Sequence, residues 1–518
     1  MHRAQKWTLC IFAIKIIGNA SKGRKCTFYS FFSKHNLFTK IYNTFRKQGN
    51  ADRRAEETAG IISSHRRVYF MKRKILSVVL AATMSIALFA GCGSSSKSSS
   101  GDSKKAAAVD TSKEGKHELS VYAWDKNFNI PALEAAEKAY QKKDPEFKLN
   151  IIEQSQSSDV ENAITLAGSS NDYSTLPDIV LFQDHYINRY VHDYPDAWVD
   201  VNDADINWDD FGQEKISYST IDGKHYGVPV DNGTVIFAYR TDLLKEAGYT
   251  IDDVTGITWD QFDEIGKKVY DKTGKYLLSM DGDGNDLPYM MLQAEGVSQF
   301  KDGKPNFVDN KTMVDIINVI VKLVQDNVLY LANDWSDYTD QTIVGDMVAG
   351  VMNGNWIIPT IEQVKENSGK WEITTLPTLS GKEGYASNGG SSLYITSNCK
   401  KTDLAKDFLA YTFGGGDGAK ETYDDALTNG GVITTNITCG QSDVYQKGVD
   451  YFNNQPIYQQ IVQMGANVPT VEQSDYHYTA REQVAAAIHN ILDGTDVTSA
   501  LKDAQDQVEF AMGNDSNS

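Results

Sequence analysis

Cysteine is scarce, with five residues in 518, and their placement excludes a disulfide-built or zinc-built fold. Cys10 and Cys26 lie in a basic N-terminal stretch, Cys92 ends an apolar run, and only Cys399 and Cys439 remain beyond it, with no C-x-x-C spacing anywhere. Those two are compatible with one bridge or with two thiols. Histidine is equally thin: of nine, six lie beyond residue 100, and His185 and His192 stand seven apart, not the four that would set two ligands on one helix face. There is no G-x-S-x-G, no phosphate-binding P-loop and no H-E-x-x-H. Gly414–Ala419 superficially matches G-x-G-x-x-A but follows a helical pattern, not a strand, and reads as a C-cap and turn. Asp281-Gly282-Asp283-Gly284-Asn285 starts like a calcium loop, yet Asp286 and Leu292 occupy the positions for its Gly and its bidentate Glu. No internal repeat is present, and no cofactor is called for.

Acidic residues are missing before Asp52, and this divides the chain. Residues 1–92 hold 17 Lys and Arg against 3 Asp and Glu, whereas the remainder holds 33 against 66, a net of −33. Residues 1–70 are basic and aperiodic, as expected of a disordered leader or translated upstream sequence. Met71 then opens MKRKILSVVLAATMSIALFAGC, a positive start followed by the uncharged run Ile75–Ala90. That run is shorter than the about 20 residues of a spanning helix. It ends in Ala90-Gly91-Cys92 and resembles a bacterial lipoprotein signal, which implies cleavage before Cys92 and lipidation of that residue. Residues 93–117, rich in Ser, Lys and Ala, can only be a tether, reaching roughly 25–30 Å. A body at −33 repels polyanions, so nucleic acid and anionic lipid surfaces are poor partners.

Order begins at Leu119. Leu119–Trp124 reads as a strand, Pro131–Lys142 as a helix and Phe147–Glu153 as a second strand, a β-α-β opening. Val160–Ala167 continues as helix and Asp178–Phe182 as a buried parallel strand, so the class is α/β. His225–Tyr239 passes through Pro and Asp-Asn-Gly between apolar runs, an extended crossing suited to a hinge. Thr258-Trp259-Asp260-Gln261 is a capping box, with Ile257 and Phe262 placed for a staple. Helical patterns follow at Lys311–Asn327, Gln341–Met352 and Thr402–Phe413, with strands at Trp371–Leu376 and Leu393–Thr396. Val484, Ala487, Ile488, Ile491 and Leu492 share one helix face, stopped by Gly494.

The region Leu119–Met512 resembles the carbohydrate-type extracellular solute-binding lipoproteins of ABC importers, the family of maltose-binding protein. The residues that carry the resemblance are Tyr226–Asp231 leading into Phe237–Leu244, Thr258–Phe262, Met352-Asn353-Gly354-Asn355-Trp356, Leu376-Pro377 and Gly389-Gly390-Ser391-Ser392. It implies a two-lobed periplasmic-binding-protein-like fold of the class II type, with a ligand cleft between lobes joined by a hinge. The expected lobes are 118–230 plus 376–435 and 231–375 plus 436–518. It further implies a monomeric, lipid-anchored protein on the outer side of the cell membrane, binding a carbohydrate and partnered by permease subunits, and no catalysis.

Sugars present apolar C–H faces to aromatic rings and hydroxyls to Asp, Asn and Gln, and open α/β sheets hold ligands at the carboxyl ends of their strands. On that ground Trp124 and Asn127 after the first strand, Gln154 after the second, and Gln183 and Asp184 after the strand from Asp178 are candidates. The resemblance adds Asp231 at the hinge, Trp356 as a stacking platform and Gly390 and Ser391 as backbone contacts. Trp335 with Tyr338, and Tyr476 with Tyr478, are further cleft aromatics, while Trp259 is structural. A surface glycoside hydrolase or lyase is the alternative from another class, and a binder of peptide or polyamine the third.

Overall fold

The computed structural model of the chain describes residues 111, 114–231, 233–282 and 286–515, the side chains as far as 513. The leader, the signal with Cys92, most of the tether and Asp283–Asn285 lie outside the described residues. The elements that bear on the site open with β1 (Glu118–Ala123), α1 (Asn129–Tyr140), β2 (Lys148–Glu153), α2 (Ser157–Ser170) and β3 (Ile179–Gln183). Next come α3 (Asp184–Asp193), β4 (Trp198–Val199), α4 (Gln213–Ser219) and β5 (Gly227–Pro229). A second set comprises β6 (Val235–Arg240), α5 (Trp259–Thr273), β7 (Leu278–Asp281), α6 (Asp286–Ala294), α7 (Lys311–Gln325) and β8 (Leu329–Ala332). It continues with β9 (Gly350–Gly354) and β10 (Trp371–Thr374). The chain then runs through β11 (Ser391–Thr396), α8 (Thr402–Thr412) and α9 (Ala419–Gly430) to α10 (His477–Leu492) and α11 (Val497–Asp515).

The fold is a two-lobed α/β arrangement, and each sheet follows from its side chains. In the first, the strand order is β2-β1-β3-β11-β4, with β5 beside the start of β11. β1 is parallel to β2 and to β3, whereas β11 is antiparallel to β3. Side chains alternate across it as the strand period demands: Leu119, Val121, Ala123, Ile179 and Leu181 enter one buried cluster, and Tyr122, Val180 and Phe182 enter another on the opposite face. Covered on both faces, Ile179–Phe182 reads as one unbroken apolar run. The second lobe holds the antiparallel sheet β9-β6-β10 and the parallel pair β8-β7 around a core that includes Phe237, Phe262 and Ile317.

The capping box at Thr258 and Gln261 forms reciprocally and starts α5. Gln341–Met352, expected to be helical throughout, is helical only as far as Ile343. A π-helical turn over Asp337–Ile343 is followed by a turn to Asp346, in the left-handed region at φ 59°, and the apolar residues beyond enter β9. A short run buried on every side carries no periodicity to separate a strand from a helix. At the hinge the segments on either side of Gly233 and Asn388 run together: Asn388 N–H donates to Gly233 O at 2.7 Å and Val235 N–H to Ala386 O at 2.8 Å. Cys399 and Cys439 are buried free thiols, each pushed up to about 12 by burial.

Candidate ligand cleft

β1 and β3 end side by side, and antiparallel β11 begins where they end, so Ser391 pairs in register with Gln183. A cavity of about 380 Å³ lies over this edge. Its floor and near wall are Trp124, Asp125, Phe128 and Asn129 after β1, Gln183, and the run Gly389-Gly390-Ser391. Gly389 and Gly390 sit at φ 88° and 93°, a region that favours glycine, and a Cβ on Gly390 would lie 2.6 Å from Asp184 Oδ2.

Beneath the floor is a buried charge pair. The Lys215 ammonium on α4 donates to Asp184 and, at 2.9 Å, to the Ser391 carbonyl. Asp184 also accepts from Ser392 Oγ at 3.0 Å, and its own N–H donates to Gly390 O at 3.1 Å. Burial pushes the Asp184 carboxyl up to about 7, with Lys215 pulling it back. Asp231, at the hinge, accepts from the Ser391 hydroxyl; burial raises it too, against the pull of Lys215 and Ser391.

The far wall is built by the other lobe. After β9, Trp356 Nε1 donates to Asn388 O at 2.7 Å, and Gly354 makes room for it, since a Cβ there would lie 2.2 Å from that nitrogen. Asn353 accepts from Asn388 Nδ2 at 2.8 Å, so the Asn-Gly-x-Trp run is locked onto the second hinge segment. Arg481 and Tyr478 come from α10. Arg481, only 2% exposed, pairs with Asp286, donates to Asn388 Oδ1 at 3.2 Å and lies over the rings of Tyr478 and Tyr289 at 5.0 and 5.2 Å. Burial lowers it to about 10, which leaves it cationic at neutral pH.

Beside the cavity the two lobes meet through aromatic and polar groups. Tyr186 stacks on Tyr478 at 4.0 Å, His185 and His477 are 5.0 Å apart, and the Tyr218 and Tyr289 hydroxyls are 3.0 Å apart. Both ring nitrogens of His185 are buried without a hydrogen-bond partner. Burial holds His185 well below the usual imidazole range and His477 down to about 4.

Of the residues singled out from sequence, Trp124, Gln183, Asp231 and Trp356 line the cavity, as do Gly390, Ser391 and Tyr478. Four do not. Asp184 is wholly buried in its pair with Lys215, because the helix α3 that begins at this residue turns its side chain beneath the floor. Gln154 is buried at the end of β2, its side chain bonded to Ile152 O at 3.4 Å. Asn127 lies in a separate groove with Trp124 and Asp125. Trp335, 46% exposed, packs against Trp356 at 5.8 Å between ring centroids. Tyr338, also considered, is fully buried and accepts from Asn353 Nδ2 at 3.2 Å. Asn388, Asp286, Arg481 and Lys215 escaped the sequence reading. Arg481 did carry a signal: it stands three residues before Val484, on the apolar face of α10, where an unpaired cation is costly.

The model of the bacterial extracellular solute-binding protein family matches residues 135–453. The lactose-binding protein of Rhizobium radiobacter is 31% identical over 395 residues, covering 75% of this chain and 92% of that protein. The arabinooligosaccharide-binding protein of Halalkalibacterium halodurans is 23% identical over 320 residues, covering 59% and 69%. Among solved structures, the galacto-N-biose/lacto-N-biose I-binding protein of Bifidobacterium longum, in complex with lacto-N-biose, superposes with a TM-score of 0.62 at 16% identity, covering 78% of this chain and 98% of that one. The sugar-binding protein MalE of Xanthomonas citri gives 0.64 at 15%, covering 77% and 98%. At such identities the structures speak for the fold alone.

Proposed function

Because the chain belongs to the bacterial extracellular solute-binding protein family, we propose that its cleft captures a sugar or short oligosaccharide outside the membrane and delivers it to the permease of an ABC importer. The observation that carries this reading is the pairing of Trp124 from one lobe with Trp356 from the other on one cavity, above a floor of Gln183, Asp231 and Ser391. Two indoles can bury the C–H faces of a pyranose while carboxylate, amide and hydroxyl groups take up its ring hydroxyls. Closure of the lobes around the ligand is the conformational signal such a protein gives. The same reading holds the chain to be a monomer, divided into lobes at 118–230 plus 376–435 and 231–375 plus 436–518, and anchored by lipid on Cys92. Mass spectrometry of the mature N-terminus tests the anchor: a free Cys92, or an uncleaved signal, refutes it.

One observation favours the glycoside hydrolase alternative. Asp231 and Asp286 both line the cavity, and burial raises Asp231, as a general acid requires. Both carboxylates are engaged, Asp231 by the Ser391 hydroxyl and Asp286 by Arg481, which suits fixed hydrogen-bonding partners better than proton carriers. The deciding experiment is a thermal-shift and calorimetric panel of neutral mono- and oligosaccharides, followed by a search for sugar release. A ligand at 100 times its dissociation constant stabilises by about 2.7 kcal/mol. No shift with any sugar refutes the binding reading, and steady release lost on Asp231→Asn installs the enzyme in its place.

A further inference from the structure

We propose that Glu214, which is not one of the residues lining the cavity, is a positioning residue of the cleft: with Lys215 beside it, it clamps the two ends of segment 387–391 and thereby sets where Trp356 stands. Its consequence for affinity rests on the sugar-binding reading above; the clamp itself does not. Glu214 and Lys215 are consecutive on α4, so roughly 100° apart around the helix, and both are buried. Glu214 Oε1 accepts from the Ser387 hydroxyl and, at 3.1 Å, from Gln293 Nε2. Gln293, on α6 of the other lobe, closes the ring by accepting from Ser387 N–H at 2.8 Å, and the Tyr218 and Ser387 hydroxyls are 3.0 Å apart. Lys215 reaches the other end, where its ammonium holds the Ser391 carbonyl at 2.9 Å. Between these two anchors Asn388, Gly389 and Gly390 all line the cavity.

The segment so held carries the far wall. Asn388 O takes the Trp356 indole N–H at 2.7 Å, Asn388 Nδ2 donates to Asn353 Oδ1 at 2.8 Å, and Asn388 Oδ1 accepts from Arg481. There is little slack to absorb a shift. A Cβ on Gly354 would stand 2.4 Å from Asn388 O, and one on Gly233 would stand 2.5 Å from Gly389 O, so the backbones on either side are already in close contact. A displacement of Ser387 is therefore passed on to the indole. Burial raises the Glu214 carboxyl, against the pull of Ser387, Tyr218 and Gln293. A well-packed leucine would spare that cost, so packing alone does not call for a carboxyl here. What the leucine would lose is the acceptor, leaving the Ser387 hydroxyl and the Gln293 amide without it.

The test compares Glu214→Gln, which keeps an accepting oxygen, with Glu214→Leu, which removes it, in the intact protein. In hydrogen exchange without ligand, the Ser387 and Asn388 amides should exchange about tenfold faster in the Leu variant, with the rest of both lobes protected as in the wild type, and at the wild-type rate in the Gln variant. Affinity is measured by calorimetric titration with whichever of maltose, maltotriose and lactose binds most tightly. It should fall about tenfold in the Leu variant, but less than threefold when the same substitution is made beside Trp356→Ala, because the two act through one group. Should Glu214→Leu fail to fold, Ser387→Ala, which leaves α4 and α6 intact, should show both effects in the same direction. Unchanged exchange at Ser387 and Asn388, or exchange accelerated throughout both lobes, overturns the clamp whether or not a sugar binds. Equal losses of affinity with and without Trp356 overturn the positioning role. Failure of the wild type to bind any of the three sugars counts against the sugar-binding reading alone, and the exchange result then decides the clamp.

Discussion

Replacing Lys215 by Met should be the most damaging single substitution near the cleft, and its cost should depend on pH. The ammonium is the charged partner of wholly buried Asp184 and also holds the Ser391 carbonyl at the cavity floor. Breaking a buried pair from one side costs about 3–5 kcal/mol, because the remaining charge is left uncompensated in a low-dielectric interior. For a lobe of this size that is a fall of roughly 6–20 °C in melting temperature. The sign with pH follows from the direction of the Asp184 shift. Burial already raises this carboxyl from its ordinary value of 3.8 to about 7, so its folded state favours the proton-bound form, and that contribution is full below the unfolded value and lost as pH rises through the folded one. Without Lys215 the carboxyl is raised further. At pH 5 it is protonated in both proteins and the substitution should cost about 1 kcal/mol, the loss of hydrogen bonds to the ammonium. Above pH 7 the penalty should grow with pH as the variant is forced to ionise a carboxyl whose value lies higher still. Scanning calorimetry at pH 5 and 8.5 measures both, and Asp184→Asn in the same chain should restore most of the loss at pH 8.5. Equal destabilisation at the two pH values, or no rescue by the second substitution, would refute this account of the floor.

Trp356→Ala should weaken sugar affinity by about 1–3 kcal/mol in calorimetric titration, with the circular dichroism spectrum retained; unchanged affinity removes the indole from the site. His185 and His477 are held neutral between the lobes, with Tyr218, Tyr289, Tyr478, Arg481 and Lys215 around them. A depressed imidazole stabilises this packing of the lobes above the ordinary value of 6.5 and ceases to as pH falls toward about 4, so sugar affinity that depends on the lobes meeting here should drop across that window. The His185→Phe/His477→Gln variant should flatten the drop, and an equally steep profile in that variant would show the loss to arise elsewhere. Cys399 and Cys439, buried and pushed up to about 12, should react with a thiol reagent only after denaturation, and a native protein modified within minutes at pH 8 would contradict their burial.

Much of the cleft was legible residue by residue. Trp124 and Gln183 could be named because strand ends are visible as ends of apolar runs and ligands collect there, and Trp356 because it sits in a short run shared with a known family. Asp184 shows where such reasoning stops. It follows Gln183 directly and satisfies the same positional rule, yet one residue further on the chain has entered a helix and the side chain points beneath the floor. The helix expected at Gln341–Met352 breaks off at Ile343 for a related reason: burial on every side erases the pattern that tells strand from helix.

The sequence by itself determined the alternation of strands and helices, the capped start of α5, the acidity that turns polyanions away, and the family, since these rest on local periodicity, on side-chain chemistry and on short ordered runs. Only the tertiary structure decided which ends converge. Ser391 meets Gln183, Lys215 meets Asp184 and Arg481 meets Asp286 across separations of up to about 200 residues. Such contacts are set by the packing of sheets and lobes, and burial, which sets the protonation of Asp184, Asp231 and the paired imidazoles, belongs to that packing and to no segment alone.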